Sequence, residues 1–412
     1  MTIMHIDANS AYLSWTAVAL LEQGYPTDIR DIPAAIAGDP DNRHGIILAK
    51  SIPAKKYKIK TGESLFSARQ KCPMLEVYPP NYDLFMLCSD AMYNLICDYT
   101  PVVQRYSVDE CFMDVSTQDP ITLAYEIKDR VKTELGFTVN IGIGENKLCA
   151  KMAGELKKPD MVHTLYHDEV AKKLWPLPIE ELFMVGRATA KKLHNININT
   201  IGDLANTEVV HLRTLLKSHG QLVWEYANGI DTSTVIPNSE IEQKGIGNSI
   251  TLPEDVSSVD EINKVVLALS ERVGLRLRSL NKRASLVAVY IKTRSFVGNR
   301  HQVQLQSYFN STSELYHIAR NLVMECWKGE PLRQIGISVS GLISGDEIQL
   351  NFLENVASEE QEALEKTIDL IRTRYGERSI IRGTFANTDK EPLLGGVNDG
   401  NYIMMGGYRH GQ

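Results

Sequence analysis

Three carboxylates carry the chemistry that this sequence offers. Asp109 and Glu110 are adjacent in Ser107-Val108-Asp109-Glu110-Cys111-Phe112-Met113-Asp114-Val115, just ahead of an apolar run. Asp7 closes an earlier apolar run, Ile3-Met4-His5-Ile6-Asp7. Both runs read as buried strands. Neighbouring side chains of a regular strand point to opposite faces, so Asp109 and Glu110 can converge only where the strand begins irregularly. Three carboxylates at strand ends, from two distant segments, make a site for hard divalent cations with oxygen ligands. Without a cation they repel one another, and at least one tends to keep its proton.

A lone Asp-Glu pair is most often a solvated turn, but these flanks carry more. In them the chain resembles the Y-family (DinB/UmuC-like) DNA polymerases, whose palm has Ser-x-Asp-Glu at one metal site and an early Asp at the other. The resemblance runs along nearly the whole chain. It implies that Asp7, Asp109 and Glu110 are catalytic and, with the carbonyl of Ala8, bind two Mg2+ ions, with Mn2+ as an alternative. It makes Tyr12, five residues after the first Asp, a steric gate that excludes the 2′-hydroxyl of a ribonucleotide. A Tyr-x-Ala-Arg pattern that reaches the triphosphate in the family is Ile52-Pro53-Ala54-Lys55 here. Lys55 keeps the charge without the bidentate fork of Arg. Ser51 or Lys56 is therefore expected to share the phosphate contact, along with Lys158 before Pro159.

The elements that must position these residues follow in order. Residues 2–7 form the first strand, and an apolar-periodic helix runs from about Leu13 to Leu21. Residues 31–75 read as a small module of two strands, followed by Lys50, Lys55, Lys56, Lys58 and Lys60 around Tyr57. No GxxxxGK[ST] loop occurs, so these lysines are not a Walker site. Helical patterns at 83–99 and 120–135 flank the acid pair, and Thr138 to Gly144 is a strand. Leu148, Met152 and Leu156 then share one helix face. The lysines fall elsewhere on that helix and toward its C-terminal end, where the dipole favours cations. Residues 168–236 are helical, and Leu182 to Leu193 resembles a helix-hairpin-helix. Such a hairpin offers backbone N–H groups near Gly186 to a DNA phosphate.

After a linker at 237–245, residues 246–345 read as a separate α+β domain. Arg272, Arg276, Arg278, Lys282, Arg283, Lys292, Arg294 and Arg300 run there with no acid after Glu271. That segment fits non-specific phosphate contact, with Arg276, Arg278 and Arg283 as DNA-binding residues. The tail from 346 to 412 starts with Glu347-Ile348-Gln349-Leu350-Asn351-Phe352-Leu353, which resembles the peptide by which bacterial polymerases hold the sliding clamp. Gln349, Leu350, Phe352 and Leu353 would be its anchors. A helix at 357–375 ending in Arg374-Tyr375-Gly376 is typical of UmuC-like members, which makes that branch the nearer one.

The expected fold is α+β and multidomain, with a ferredoxin-like palm (1–30 and 76–167) and small fingers (31–75). A helix-hairpin-helix thumb (168–236) and an α+β little finger (246–345) complete it. Its 412 residues fit about three domains. No run reaches the roughly 18 apolar residues of a membrane span, and no secretory signal begins the chain. Six scattered cysteines without a CxxC pair read as reduced core residues of a cytoplasmic protein. The net charge of -7 sits mostly in the tail, leaving the body near neutral. The implied partners are primer-template DNA, deoxynucleoside triphosphates, a sliding clamp and accessory SOS proteins, with no membrane. Two other readings stay open. One is a non-catalytic scaffold with this fold and clamp peptide. The other is a nucleotidyl cyclase sharing the palm and two metals.

Overall fold

The computed structural model describes residues 2–41, 43, 45–115, 119–345 and 356–386. The chain divides into two compact units, the first taking in Met1–Gly38 and Ile46–Ile241 and the second Asp39–Gly45 and the chain from Glu242. In the first unit the palm opens with β1 (Thr2–Ala8) and α1 (Ala11–Glu22). The fingers follow as β2 (Ala34–Ala37), β3 (Ile47–Lys50), α2 (Ile52–Lys55), α3 (Leu65–Lys71) and β4 (Glu76–Tyr78). β4 pairs in parallel with β2, so the fingers run to residue 78, three beyond the expected limit.

The palm resumes with α4 (Tyr82–Cys97), β5 (Val103–Arg105), β6 (Glu110–Val115), α5 (Pro120–Leu135), β7 (Val139–Gly144), α6 (Lys147–Glu155) and β8 (Val162–Leu165). Its five strands order as β5-β6-β1-β7-β8. β1 is central because its residues are apolar on both faces: Ile3, Met4 and Ile6 are all 2% exposed or less. α6 lies directly on this sheet, and two glycines of β7 let it down. A Cβ on Gly142 would stand 1.9 Å from the carbonyl oxygen of Ala150, and one on Gly144 2.6 Å from the Ala150 nitrogen. All residues from Lys147 to Gly154 are buried as a result. Lys147 and Lys151, though off the apolar face of Leu148 and Met152, are therefore buried too.

The thumb is α7 (Val170–Lys173), α8 (Arg187–His194), α9 (Ile201–Ala205), α10 (Val209–Leu216) and α11 (Ser218–Ala227). Its core includes Leu174, Leu193, Leu204 and Tyr226 and is continuous with Leu148 and Met152 of α6.

The second unit is β9 (Gly245–Val256), α12 (Val259–Ser279), β10 (Lys282–Thr293), β11 (Gly298–Phe309), α13 (Thr312–Cys326), β12 (Leu332–Ser344) and α14 (Val356–Tyr375). Its antiparallel sheet orders as β11-β10-β12-β9. Ser311 caps α13 by accepting from the Glu314 nitrogen, as its spacing predicts. Val287, Val289 and Ile291 of β10 face a core shared with α12 and α13. Strand alternation then turns Tyr290 and Lys292 to the opposite face, and Arg300, the register partner of Tyr290, joins them.

Candidate active site

The three carboxylates come together where β1 and β6 end. Asp7 and Glu110 are register partners across the two strands. Asp109 lies just before β6, in a tight turn closed by the Glu110 carbonyl, which accepts from the nitrogens of Tyr106 (2.9 Å) and Ser107 (3.2 Å). The Ala8 nitrogen donates to the Asp109 carbonyl (2.9 Å), which fastens the turn to the end of β1. The Ser107 hydroxyl donates to Asp109 Oδ1 at 2.5 Å. The irregular start that the sequence demands is therefore present, and it frees Asp109 from strand alternation.

Two lysines from α6 and its C-terminal end meet these acids. Lys158 bonds Asp7 and also reaches Glu155 (2.9 Å). Lys151 donates to Glu110 Oε2 at 2.8 Å, and its ammonium lies 5.4 Å from the ring centres of Tyr106 and Phe183. His5, fully buried, places Nε2 3.5 Å from the same Glu110 oxygen. Burial pushes Asp7 up to about 7 despite the opposing Lys158. Burial also raises Asp109, against the hydrogen bond from Ser107. Burial opposes ionisation of Glu110 too, yet His5 and Lys151 overcome it and hold that carboxyl down at about 2. Desolvation, with Lys151 nearby, lowers His5 below its ordinary value, and Glu110 pulls the other way.

Among the described residues, no three His, Cys, Asp or Glu side chains are drawn into a ready-made metal cage. The donor chemistry nonetheless fits a hard divalent cation: three carboxylates and a strand-end carbonyl, all oxygen. The ammonium groups of Lys158 and Lys151 supply the compensating charge that such acids require. Sequence reasoning missed His5 and Lys151 as members of the site. His5 had a signal, since it sits two residues before Asp7 on the same strand face. Lys151 had none, because its burial comes from α6 packing on glycines.

Tyr12 is the second residue of α1. Its ring stacks on Phe85 of α4, with centroids 4.4 Å apart and planes 10° apart, and Tyr82 stands edge-on at 6.4 Å. In the fingers, Ile52 is 49% exposed at the start of α2, and Lys55 is exposed at its last turn. Ser51 does not share the phosphate contact expected of it. Its hydroxyl donates to the Ile32 carbonyl (2.6 Å) and accepts from the nitrogens of Ala34 and Ala54 (both 3.1 Å). One donor and two acceptor sites are thus all used, in a residue 1% exposed. Gly186 is exposed at the start of α8, and nothing lies within 4 Å of where its Cβ would stand.

The basic face of α12 is not open as the charge run suggests. Arg278 bonds Glu365 (2.8 Å) and Asp369 (2.6 Å) of α14, and Arg283 bonds Glu362. Arg276 donates to Asn248 Oδ1 (2.7 Å) on β9. In return Glu271 of α12 takes Arg372 (2.6 Å) and Arg382. The acidic tail and the basic helix neutralise one another within the second unit, which corrects the assignment of Arg278 and Arg283 to DNA. Arg278 and Glu365 side chains are 4% and 3% exposed, so removing one strands the other. Arg278→Ala is expected to cost about 3–5 kcal/mol in a melt of the second unit. It should leave duplex affinity within about twofold, because an interior pair releases no DNA counterions. A variant that melts normally yet loses duplex binding would return Arg278 to the DNA surface.

Comparison with known proteins bears on this geometry directly. The impB/mucB/samB family matches residues 6–155, its C-terminal domain residues 243–352, and its HHH motif residues 167–198. The chain is 45% identical to DNA polymerase IV of Clostridium acetobutylicum, over 94% of this chain and 99% of that one. It is 38% identical to DNA polymerase IV of Acetivibrio thermocellus, over 92% and 96%. The chain belongs to the Y family of DNA polymerases.

The solved structure of a Y-family polymerase chimera of Dbh and Dpo4 agrees in fold, with a TM-score of 0.73 at 19% identity over 84% of this chain and all of that one. The relatives are DinB-like rather than UmuC-like, which corrects the branch expected from the tail. A helix after residue 355 is thus no mark of one branch of the Y family. The HHH match covers Gly186. The nucleotidyl cyclase reading falls with the family match. The clamp-peptide residues Gln349, Leu350, Phe352 and Leu353 lie outside the described residues. Among the described residues, no helix is long and apolar enough to cross a membrane.

Proposed function

We propose that this Y-family polymerase extends a primer along a template, past damaged bases, by two-metal-ion nucleotidyl transfer at Asp7, Asp109 and Glu110. The observation that carries the reading is the pairing of Asp7 with Glu110 across β1 and β6, with Asp109 in the turn beside them. Mg2+, with Mn2+ as an alternative, would lower the pKa of the primer 3′-hydroxyl and compensate the charge on the triphosphate and its leaving pyrophosphate. Asp7, the Ala8 carbonyl, Asp109 and Glu110 would hold the ions. Lys158 would turn from Asp7 to the phosphate oxygens once a cation replaces it, with exposed Lys55 as a second phosphate contact. Such chemistry is positioning and charge neutralisation, so it needs no nucleophilic Ser, His or Cys.

The partners that fit are primer-template DNA and deoxynucleoside triphosphates. Backbone N–H groups at Gly186 would hold a DNA phosphate. With the α12 arginines covered, the open face of the little-finger sheet, with Lys292 and Arg300, is the better DNA surface. A sliding clamp on Gln349, Leu350, Phe352 and Leu353 rests on the sequence of that peptide alone, as do accessory SOS proteins. Primer extension by the purified chain, on undamaged and lesion-bearing templates, tests the reading. No incorporation with Mg2+ or Mn2+ on either template would leave the non-catalytic scaffold standing.

The gate is tested separately. Tyr12→Ala removes the ring stacked on Phe85 and leaves room beside C2′ of the incoming sugar. The ratio of kcat/KM for a ribonucleotide to that for its deoxy partner should rise on the order of 10- to 100-fold. An unchanged ratio would make Tyr12 a packing residue of the α1–α4 contact.

A further inference from the structure

The chain that leaves the thumb comes back to grip the palm. After α11 ends at Ala227, residues 229–235 run without regular structure along the start of α6. The Gly229 carbonyl accepts from Asn146 Nδ2 at 2.8 Å. Asp231 Oδ2 accepts from the Leu148 nitrogen at 3.2 Å, across 83 positions of sequence. Asp231 is itself steadied by Ser233, whose nitrogen and hydroxyl each donate to it at 3.0 Å. The Thr234 carbonyl accepts from Lys147 Nζ at 3.0 Å. Val235, 7% exposed, closes the segment in a cluster with Ile3, Phe112 and Ala150.

This grip matters because of what α6 carries. Lys151 in its middle meets Glu110, and Lys158 just beyond its end meets Asp7. The bare backbone of Gly142 and Gly144 fixes the height of the helix over the sheet. Sliding along its axis and rotation about it are not fixed by that contact. They are limited by the packing of Leu148 and Met152 in the thumb core and, at the N-terminus, by two caps, Asn146 on the Cys149 nitrogen at 2.8 Å and Asp231 on the Leu148 nitrogen. Of these two caps, Asn146 belongs to the palm and Asp231 to the thumb's returning segment.

We propose that Asp231 is a positioning residue for nucleotidyl transfer. By capping α6 it sets where Lys151 and Lys158 meet Glu110 and Asp7, and it links the thumb to the metal-binding carboxylates. The proposal rests on the polymerase reading for its reaction, and on the contacts above for its geometry.

The test compares Asp231→Ala with Asp231→Asn in the full chain. Asn keeps a side-chain oxygen and caps a helix as well as Asp, whereas Ala cannot. Asp231→Ala should lower kcat/KM for the incoming deoxynucleotide about tenfold and tighten Mn2+ binding, read by electron paramagnetic resonance without DNA, because the ammonium groups that compete for Asp7 and Glu110 are displaced. Duplex affinity should be unchanged, and Asp231→Asn should match the parent in every readout. Parent values of kcat, KM and Mn2+ affinity in Asp231→Ala, assayed well below its melting temperature, would reduce Asp231 to a stabilising cap and overturn the proposal. An Asp231→Asn variant as impaired as the Ala variant would overturn it too, since charge rather than capping would then be at work. Should Asp231→Ala fail to fold, Ser233→Ala removes only the hydroxyl that steadies Asp231. A smaller change of the same sign in both readouts supports the proposal, and no change in either sinks it. If the parent extends no primer but Mn2+ binding still separates the two Asp231 variants, the positioning role stands and the polymerase reading is what fails.

Discussion

Asp109→Ala is expected to abolish nucleotide incorporation, by at least about 10^3-fold in kcat/KM, and to leave duplex binding near the parent value. The loss corresponds to about 4 kcal/mol at 1.36 kcal/mol per decade, the scale of one ligand that stabilises charge in the transition state. Asp109 is the right residue to remove because it sits outside the strand ladder, in a turn rather than in a core: its carboxylate accepts from the Ser107 hydroxyl, and its own nitrogen donates to that hydroxyl at 3.4 Å. The substitution therefore leaves the β1–β6 register intact. Asp7 and Glu110 are worse choices for a clean test, since each would strand a lysine, Lys158 or Lys151. Single-turnover extension with saturating DNA measures the chemical step, and fluorescence anisotropy the binding. Extension within tenfold of the parent would remove Asp109 from the metal site.

The second large effect is on folding. In Gly142→Ala the new methyl would stand 1.9 Å from the Ala150 carbonyl oxygen and 2.3 Å from the Gly154 nitrogen. Both are backbone atoms of α6, so no side chain can swing aside, and the helix must lift off the sheet. Overpacking of this kind exceeds the usual 1–3 kcal/mol, and a loss of more than about 4 kcal/mol is expected. The first melting transition should fall by about 10 °C. At temperatures where the variant is still folded, incorporation should fall as well, because the same lift carries Lys151 and Lys158 away from Glu110 and Asp7. Gly154→Ala is the matched control. Its methyl would come no closer than 3.4 Å, to His5 Nδ1, and alanine is the better helix former by about 1 kcal/mol. A Gly142→Ala chain that melts with the Gly154→Ala chain would mean that α6 does not rest on bare backbone.

What the sequence determined by itself was local. Apolar runs closed by Asp7 and opened by Asp109-Glu110 put carboxylates at strand ends, because the period of a strand leaves an adjacent acid pair nowhere else to converge. Ser311 and Glu314 marked the start of α13, because capping is a matter of a few neighbouring residues. The helix at 357–375 was legible from its own period. What failed in the sequence were statements about which surface a side chain would meet. The charge run from Arg272 to Arg300 looked like an open basic face, but whether a charge is free depends on what packs against it. Here Glu362, Glu365 and Asp369, some 80 to 90 positions later, cover Arg278 and Arg283. Ser51 looked like a phosphate ligand until the strand from Ala34 and the turn at Ile32 closed over its hydroxyl. Lys151 fell off the apolar face of its helix in the sequence, yet two glycines of a different strand draw that helix inward and set Lys151 against Glu110. Strand ends and caps are set by neighbours in sequence, and neighbours in sequence are all that a sequence displays. The partner of a buried charge is set by packing between segments tens of residues apart, and only the tertiary structure brings those segments together.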